Sequence, residues 1–203
     1  MDLPIDISAV KGFLAEDEAA ALYQAATDVA QIGPVLEIGS YCGKSTIYLG
    51  LACQQSHNTL YALDHHRGSE EHQVGEMFHD EDLFDSTAGQ FDSFREFRNN
   101  IRRAGLNDVV VPLVTDSETG SRHWGTLLGM VFIDGGHSLE AALCDYRCWS
   151  GFIKSGGILA IHDVFPNPAE GGHAPYAVYT LAKKSGLFTD LGITNSLAQL
   201  RRI

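Results

Sequence analysis

Two short apolar segments of this sequence have acidic side chains at or just beyond their ends, and a glycine-bearing turn follows the first. Val35–Ile38 contains Glu37 and leads into Gly39, whereas Leu60–Leu63 is followed directly by Asp64. Open α/β sheets bind nucleotides at the carboxyl ends of their strands, where an acid can accept hydrogen bonds from a ribose diol. The pattern therefore predicts a nucleoside-binding site.

The turn Gly39-Ser-Tyr-Cys-Gly43-Lys-Ser45 argues against two phosphate-binding motifs. A P-loop needs four residues between its glycines before Lys-Ser/Thr, and this turn has three. The dinucleotide motif fails because Tyr41 occupies its second glycine position, where a pyrophosphate must approach the backbone closely. Glu37 would also repel a diphosphate and attract a cation. S-adenosylmethionine, a nucleoside with a positive charge and no phosphate, fits this pattern.

Further acids and histidines follow two later apolar runs. Asp134 ends one run and His137 comes three residues after it, while His162 and Asp163 end another. Carboxylate and imidazole groups that converge from neighbouring strand ends can bind a divalent ion. The ordinary pKa of histidine also suits His137 to work as a general base.

Together these motifs resemble class I S-adenosylmethionine-dependent methyltransferases, in particular the small-molecule O-methyltransferase branch. The resemblance spans about residues 35–164 and includes Phe132-Ile-Asp-Gly-Gly-His-Ser138 and the run at 156–164. The chain is similar to macrocin-type sugar O-methyltransferases and cephalosporin-hydroxylase-like proteins. The run Asp64-His-His-Arg-Gly-Ser-Glu-Glu-His72 resembles the mycofactocin oligosaccharide methyltransferase family.

The resemblance implies a set of residues around the methyl donor. Glu37 would reach the methionyl ammonium directly or through water. Asp64 would hold the ribose, with His65 flanking it, and Asp116 would accept a hydrogen bond from the adenine amine. Asp116 is equally a candidate helix N-cap, paired with Ser117. The candidate cofactor-binding residues are Glu37, Gly39, Ser40, Gly43, Ser45, Asp64, His65, Asp116, Ser117 and Asp134.

The same resemblance implies metal-assisted methylation of a small hydroxylated acceptor, such as a sugar or glycoside. The catalytic candidates are His137, Asp134 and Asp163, and the candidate ligands of Mg²⁺ or Mn²⁺ are Asp134, Asp163 and His162. Some relatives have an acid where this chain has His162, and imidazole is a poor magnesium ligand, which favours a transition ion. Two alternatives stay open: a metal-independent methyltransferase with His137 alone as base, and a non-catalytic nucleoside-binding module.

Alternating strand-like and helix-like segments predict an α/β fold with a parallel sheet covered on both faces. The resemblance implies a Rossmann-like, doubly wound, three-layer α/β/α form, with a mostly parallel seven-stranded sheet and an antiparallel C-terminal strand. Residues 1–203 are predicted to form a single domain, with a helical cap at 1–33 and a lid at 65–92, called here the acidic segment. Helices are predicted at 16–32, 44–54, 95–104, 138–153 and 175–185.

The charge of the chain excludes several classes of partner. Its 203 residues include 26 acidic and 14 basic ones, a net charge of −12, whereas nucleic-acid binding needs a basic face. The same charge disfavours an anionic membrane surface, and no apolar run approaches the ~18 residues that span a bilayer. The N-terminus does not resemble a signal peptide, so a cytoplasmic protein is expected. A homo-oligomer is left open, with the N-terminal helix and the acidic segment as the expected contact surfaces.

Overall fold

The computed structural model describes residues 2–69, 80–167, 169, 171 and 173–203. The helices are α1 (Glu16–Asp28), α2 (Lys44–Gln55), α3 (Phe94–Arg103), α4 (Ser117–Ser121), α5 (Leu139–Trp149) and α6 (His173–Lys184). The strands are β1 (Val35–Ile38), β2 (Leu60–Leu63), β3 (Phe84–Asp85), β4 (Gln90–Phe91), β5 (Val110–Leu113), β6 (Leu128–Ile133), β7 (Ile153–Ile161), β8 (Phe188–Thr194) and β9 (Leu197–Arg202). Among these residues, no helix is both long and apolar enough to cross a bilayer.

Seven of the strands form one sheet in the order β5-β2-β1-β6-β7-β9-β8. The pairs from β5 to β7 are parallel, and β9 runs antiparallel to both of its neighbours. The strand order reverses at β1, which lies between β2 and β6, and a reversal of this kind opens a ligand crevice at the carboxyl ends of the strands. The predicted fold class is confirmed.

The central strands are apolar on both faces because both faces are covered. In β6, Met130 and Phe132 belong to one buried cluster with Leu22 of α1 and Phe97 of α3. Alternate residues of β6 belong to a second cluster, which contains Trp149 of α5 and Val178 of α6. Successive side chains of a strand point to opposite faces, so this partition produces the predicted three layers.

Helix α5 is shorter than the sequence predicts. It ends at Trp149 and a 3-10 turn covers Ser150–Phe152, whereas the prediction continued the helix to residue 153. Ile153 instead begins β7 and pairs with Leu128 of β6. Gly151 lowers helix propensity at this point and the β-branched Ile153 favours a strand. Helix α1 likewise ends at Asp28, before the predicted residue 32.

The acidic segment is only partly described. Residues 70–79, which include His72 and His79, lie outside the described residues. Its later part contains a 3-10 turn and the short β3–β4 hairpin, neither of which the sequence analysis predicted. Lys11 Nζ lies 2.6 Å from Asp80 and 3.0 Å from Asp82, which joins this part to the N-terminal residues. A lid role stays a prediction.

Candidate active site

A cavity of about 600 Å³ lies at the carboxyl ends of the parallel strands. This volume suits a small-molecule ligand. Its wall includes the turn after β1 and residues from the ends of β2, β5, β6 and β7: Asp64, His65, 115–118, 134–138, His162 and Asp163. The structure therefore brings most of the predicted site residues to one cavity.

The glycine turn after β1 depends on close backbone packing. Gly39 has a φ of +88°, and a Cβ at this position would lie 2.0 Å from the carbonyl oxygen of Asp134. A side chain would therefore force the turn after β1 away from the end of β6. Gly43 has a φ of +92° and precedes the first residue of α2, where a Cβ would lie 3.3 Å from the Phe97 ring.

Asp64 is held by backbone amides on both of its oxygens. Tyr41 N donates to Oδ2 at 2.8 Å and His66 N donates to Oδ1 at 2.7 Å. Each carboxylate oxygen can accept a second hydrogen bond, and Asp64 lies on the cavity wall. This geometry is suitable for a ribose diol. His65 also lies on the wall, and its Nδ1 accepts from Arg67 N at 3.0 Å.

Glu37 does not line the cavity. Its side chain is fully buried and accepts from the hydroxyls of Ser45 and Thr46, each at 2.5 Å. Burial raises the pKa of Glu37 to about 8, although the two hydroxyls oppose this shift. The carboxyl group therefore fixes the start of α2. A direct contact with an ammonium group stays a prediction that this geometry does not support.

Two serines of the turn differ in their partners. Ser45 lies on the wall, but its hydroxyl donates to Glu37. Ser40 is 1% exposed and also lies on the wall. Its Oγ has no hydrogen-bond partner among the described residues. Since buried polar groups are normally paired, Ser40 is the better candidate to contact a bound molecule.

The residues after β5 perform capping and packing roles beside the cavity. Asp116 is the N-cap of α4 and accepts from Thr119 N at 2.7 Å. Ser117 donates to Asp145 Oδ1 at 2.5 Å and accepts from Trp149 Nε1 at 3.1 Å. Both residues remain on the wall. Asp145, which the site prediction lacked, also lines the cavity, and burial raises its pKa to about 6.

Two histidines and two carboxylates meet at the ends of β6 and β7. His137 Nε2 lies 3.0 Å from Asp163 Oδ2. His162 Nδ1 lies 3.0 Å from Asp134 Oδ1 and 3.5 Å from Asp163 Oδ2. Burial alone would raise the pKa of Asp163, but His137 and His162 hold it well below its usual range. The predicted catalytic residues therefore form one connected group.

The opposite nitrogen of the His162 ring is bound to an acid that the sequence analysis missed. His162 Nε2 lies 3.0 Å from Glu18 Oε2 of α1. Burial alone would lower the pKa of His162, but Asp134 and Asp163 raise it to about 12. A signal for Glu18 was present, because it lies one helical turn before the buried Leu22, on the apolar face of α1.

The predicted metal ligands meet one requirement of a metal site and fail another. One ligand atom each of Asp134, His162 and Asp163 lies within 4.8 Å of the others, close enough to share an ion. However, both ring nitrogens of His162 lie 3.0 Å from carboxylate oxygens. A neutral imidazole has one N–H and an imidazolium has no lone pair. His162 as arranged does not fit the role of a metal ligand.

A sequence comparison with known families identifies the chain. Residues 36–164, more than half of the chain, match the family described as a methyltransferase domain. The chain belongs to this family. It is an S-adenosylmethionine-dependent methyltransferase of class I, as the sequence motifs predicted.

Solved structures support the fold of this methyltransferase. The O-methyltransferase NovP superposes with a TM-score of 0.70 at 16% identity, over 92% of this chain and 79% of that chain. An O-methyltransferase from Bacillus cereus in complex with SAH gives 0.65 at 15% identity, over 96% and 86%. TomG from Streptomyces achromogenes, in complex with SAM, gives 0.64 at 15%, over 94% and 81%. At these identities the likeness concerns the fold.

Proposed function

We propose that this methyltransferase transfers a methyl group to a hydroxyl of a small molecule, with His137 as general base. The observation that supports this proposal is the 3.0 Å contact between His137 Nε2 and Asp163 Oδ2. Both residues lie on the wall of the cavity that also contains the glycine turn and Asp64. An acid that orients a histidine beside a cofactor cavity is the arrangement expected for general base catalysis.

The charge of the cavity supports S-adenosylmethionine as the methyl donor. The wall contains the carboxyl groups of Asp64, Asp116, Asp134, Asp145 and Asp163. They favour a ligand that carries a sulfonium and an ammonium, and they disfavour phosphates. In the proposed complex Asp64 binds the ribose diol and Ser40 contacts the methionyl part. Asp116 and Ser117 flank the adenine.

The reaction then requires one proton transfer and one in-line displacement. With the ring proton on Nε2 directed to Asp163, the basic lone pair of His137 is on Nδ1. Nδ1 takes the proton of the acceptor hydroxyl as the oxygen attacks the methyl carbon. The new O–C bond forms as the S–C bond breaks, and sulfur leaves neutral as S-adenosylhomocysteine. Asp163 stabilises the imidazolium that results, and the cavity supplies the alignment.

The hydrogen bonds of His162 argue against assistance by a metal ion. A metal ion bound by His162 would require the ring to release Glu18 or Asp134, each 3.0 Å away. The metal-independent form with His137 as base requires no such rearrangement, so we favour it. For the acceptor we propose a sugar or glycoside hydroxyl, which is supported by the resemblance of the run beginning at Asp64 to oligosaccharide methyltransferases.

The test is release of S-adenosylhomocysteine from purified protein supplied with S-adenosylmethionine and a panel of glycosides, sugars and phenols. We expect turnover with at least one hydroxylated acceptor. His137→Asn should lower kcat by about 10²- to 10⁴-fold, the usual range for a general base, and leave the affinity for S-adenosylhomocysteine unchanged. His123→Asn is the control, since His123 is exposed and outside the cavity.

The rival function is a nucleoside-binding module without turnover. Tight binding of S-adenosylhomocysteine, with no release from any acceptor class, would favour it. Full activity of His137→Asn would instead refute the assignment of the base while leaving methyl transfer intact.

A further inference from the structure

Glu18 connects the N-terminal helix to the active site. Its side chain is 2% exposed. One oxygen accepts from Ser196 N at 2.8 Å and Ser196 Oγ at 2.7 Å, and the other accepts from Ala15 N at 2.9 Å and His162 Nε2 at 3.0 Å. A carboxylate that accepts four hydrogen bonds has little freedom to move, so Glu18 is a fixed anchor for the His162 ring.

The His162 ring lies between acids on two sides. Glu18 is on one side, while Asp134 and Asp163 are 3.0 and 3.5 Å from the opposite nitrogen. His162 and Glu18 are buried, while the side chains of Asp134 and Asp163 are 19% and 29% exposed. A carboxylate removed from water is stable only when a counter-charge or hydrogen bonds compensate it. A doubly protonated ring meets that need, because it donates to an acid from each nitrogen.

We propose that the imidazolium of His162, held by Glu18, occupies the place of a divalent cation in this site and makes the methyltransferase independent of metal. This inference rests on the proposed function. Glu18 is a positioning residue: it fixes the ring, the ring fixes Asp134 and Asp163, and Asp163 orients His137. The cationic ring thus organises the same carboxylates that a metal ion would otherwise hold.

Direct measurement of metal binding tests the inference without turnover. Mn²⁺ binding is followed by electron paramagnetic resonance for the full chain with S-adenosylhomocysteine bound. The wild type should bind Mn²⁺ no more tightly than about millimolar, the weak end of the range for oxygen-ligand sites. His162→Asp supplies a third carboxylate in place of the cationic ring, and it should bind Mn²⁺ at least ~10-fold more tightly.

Two results, one from this binding experiment and one from a turnover assay, would overturn the inference. One is Mn²⁺ binding to the wild type as tight as binding to His162→Asp, with loss of this binding in Asp134→Asn. The other is wild-type turnover that excess EDTA abolishes and Mn²⁺ restores. Either outcome refutes the metal-independent form but not methyl transfer with His137 as base, because turnover and S-adenosylhomocysteine affinity report on methyl transfer separately.

The role of Glu18 is tested through the state of the His162 ring. Nitrogen-15 NMR at pH 8 should show a doubly protonated His162 in the wild type and a loss of that signature in Glu18→Gln. Glu18→Gln should also lower kcat by about 10-fold or more, the effect of loss of a hydrogen bond to a charged group, with the KM for S-adenosylmethionine unchanged. Glu16→Gln, an exposed position on the same helix, should match the wild type.

If Glu18→Gln does not fold, the nitrogen-15 spectrum of the wild type tests the proposal by itself. A neutral His162 ring at pH 8 would overturn the proposal, and a doubly protonated ring would support it. In a folded Glu18→Gln variant, a ring signature and kcat equal to those of the wild type would also overturn it.

Discussion

At the scale of single residues, the carboxyl groups around the cavity differ because their partners differ. The Asp64 carboxylate accepts hydrogen bonds from the backbone amides of Tyr41 and His66, and these bonds fix its orientation. Asp163 instead contacts the ring of His137 at 3.0 Å. Hydrogen bonds to fixed backbone favour a binding role, and contact with a histidine favours a role in proton transfer. Substitution of each acid should therefore affect a different step.

Asp64→Ala should weaken binding of S-adenosylhomocysteine by about 10- to 100-fold, the equivalent of a hydrogen bond to a charged group. Asp163→Ala should leave that affinity within a few-fold of wild type and lower kcat, because it removes the partner that orients His137. Calorimetric titration and initial rates measure the two effects. The exposed Asp108 provides the control Asp108→Ala. An equal loss of affinity in both variants would contradict this division.

Glu37 should make stability depend on pH. Burial raises its folded pKa from 4.5 to about 8, so between these values the folded state holds a proton that the unfolded chain has lost. The wild type therefore loses stability as the pH rises through this window, by up to ~1.4 kcal/mol per pH unit. The free energy of unfolding of wild type minus that of Glu37→Gln should fall from pH 5 to 8 and then level off.

Urea unfolding at pH 5, 6.5, 8 and 9 measures this difference for the two proteins. A constant difference across the series would show that Glu37 ionises as freely in the folded protein as in the unfolded chain.

At the scale of elements, the turn between β1 and α2 is shaped by the neighbouring end of β6. The carbonyl oxygen of Asp134 occupies the space where a side chain on Gly39 would begin. The turn and the end of β6 are thus parts of one packed unit, and both contribute residues to the cavity wall. A change in the turn should disturb cofactor binding and the catalytic group together.

Gly39→Ala tests this coupling, with Gly105→Ala as a matched control. Both glycines have positive φ values, +88° and +71°, but a Cβ on Gly105 would meet nothing within 4 Å. Both variants should lose about 1–2 kcal/mol because an L-residue is strained at positive φ. Gly39→Ala should lose at least ~2 kcal/mol more from the clash and should bind S-adenosylhomocysteine weakly. Thermal melts and titration measure these effects, and equal behaviour of the variants would refute the close-packing argument.

At the scale of the whole molecule, distant parts of the chain converge on one acidic cavity. Ser196 in the β8–β9 turn hydrogen-bonds to Glu18 across 178 residues of sequence, and Glu18 contacts His162 across 144. The N-terminal helix, the last hairpin and the catalytic group are therefore linked. A ligand that binds this cavity only in the folded protein should therefore stabilise the whole fold.

S-adenosylhomocysteine at 100 times its Kd should add ~2.7 kcal/mol to the free energy of unfolding. For a chain of this length the Tm should rise by about 5 to 10 °C. ATP and NAD at equal concentration should cause no rise, because the acids of the cavity repel their phosphates. Differential scanning fluorimetry with the three ligands measures this. A rise with ATP or NAD and none with S-adenosylhomocysteine would refute the assignment of the methyl donor.

The sequence by itself determined the strand–turn–helix unit from Val35 to Gln54, and it indicated that the cofactor is a nucleoside. These features are local, since glycine spacing, apolar runs and strand-end acids act between residues that are close in the chain. The parallel sheet also followed, because alternation of strands and helices leaves few ways to cover both faces.

Only the tertiary structure decided what His162 contacts, where Glu37 points and that Glu18 belongs to the site. Glu18 and His162 are 144 residues apart, and a hydrogen bond between them needs their atoms within about 3 Å. No local pattern specifies such a distance, because it depends on how α1 packs beside the sheet and on where the β8–β9 turn lies. For the same reason the sequence predicted that His162 is a metal ligand, whereas the fold places its ring between acids.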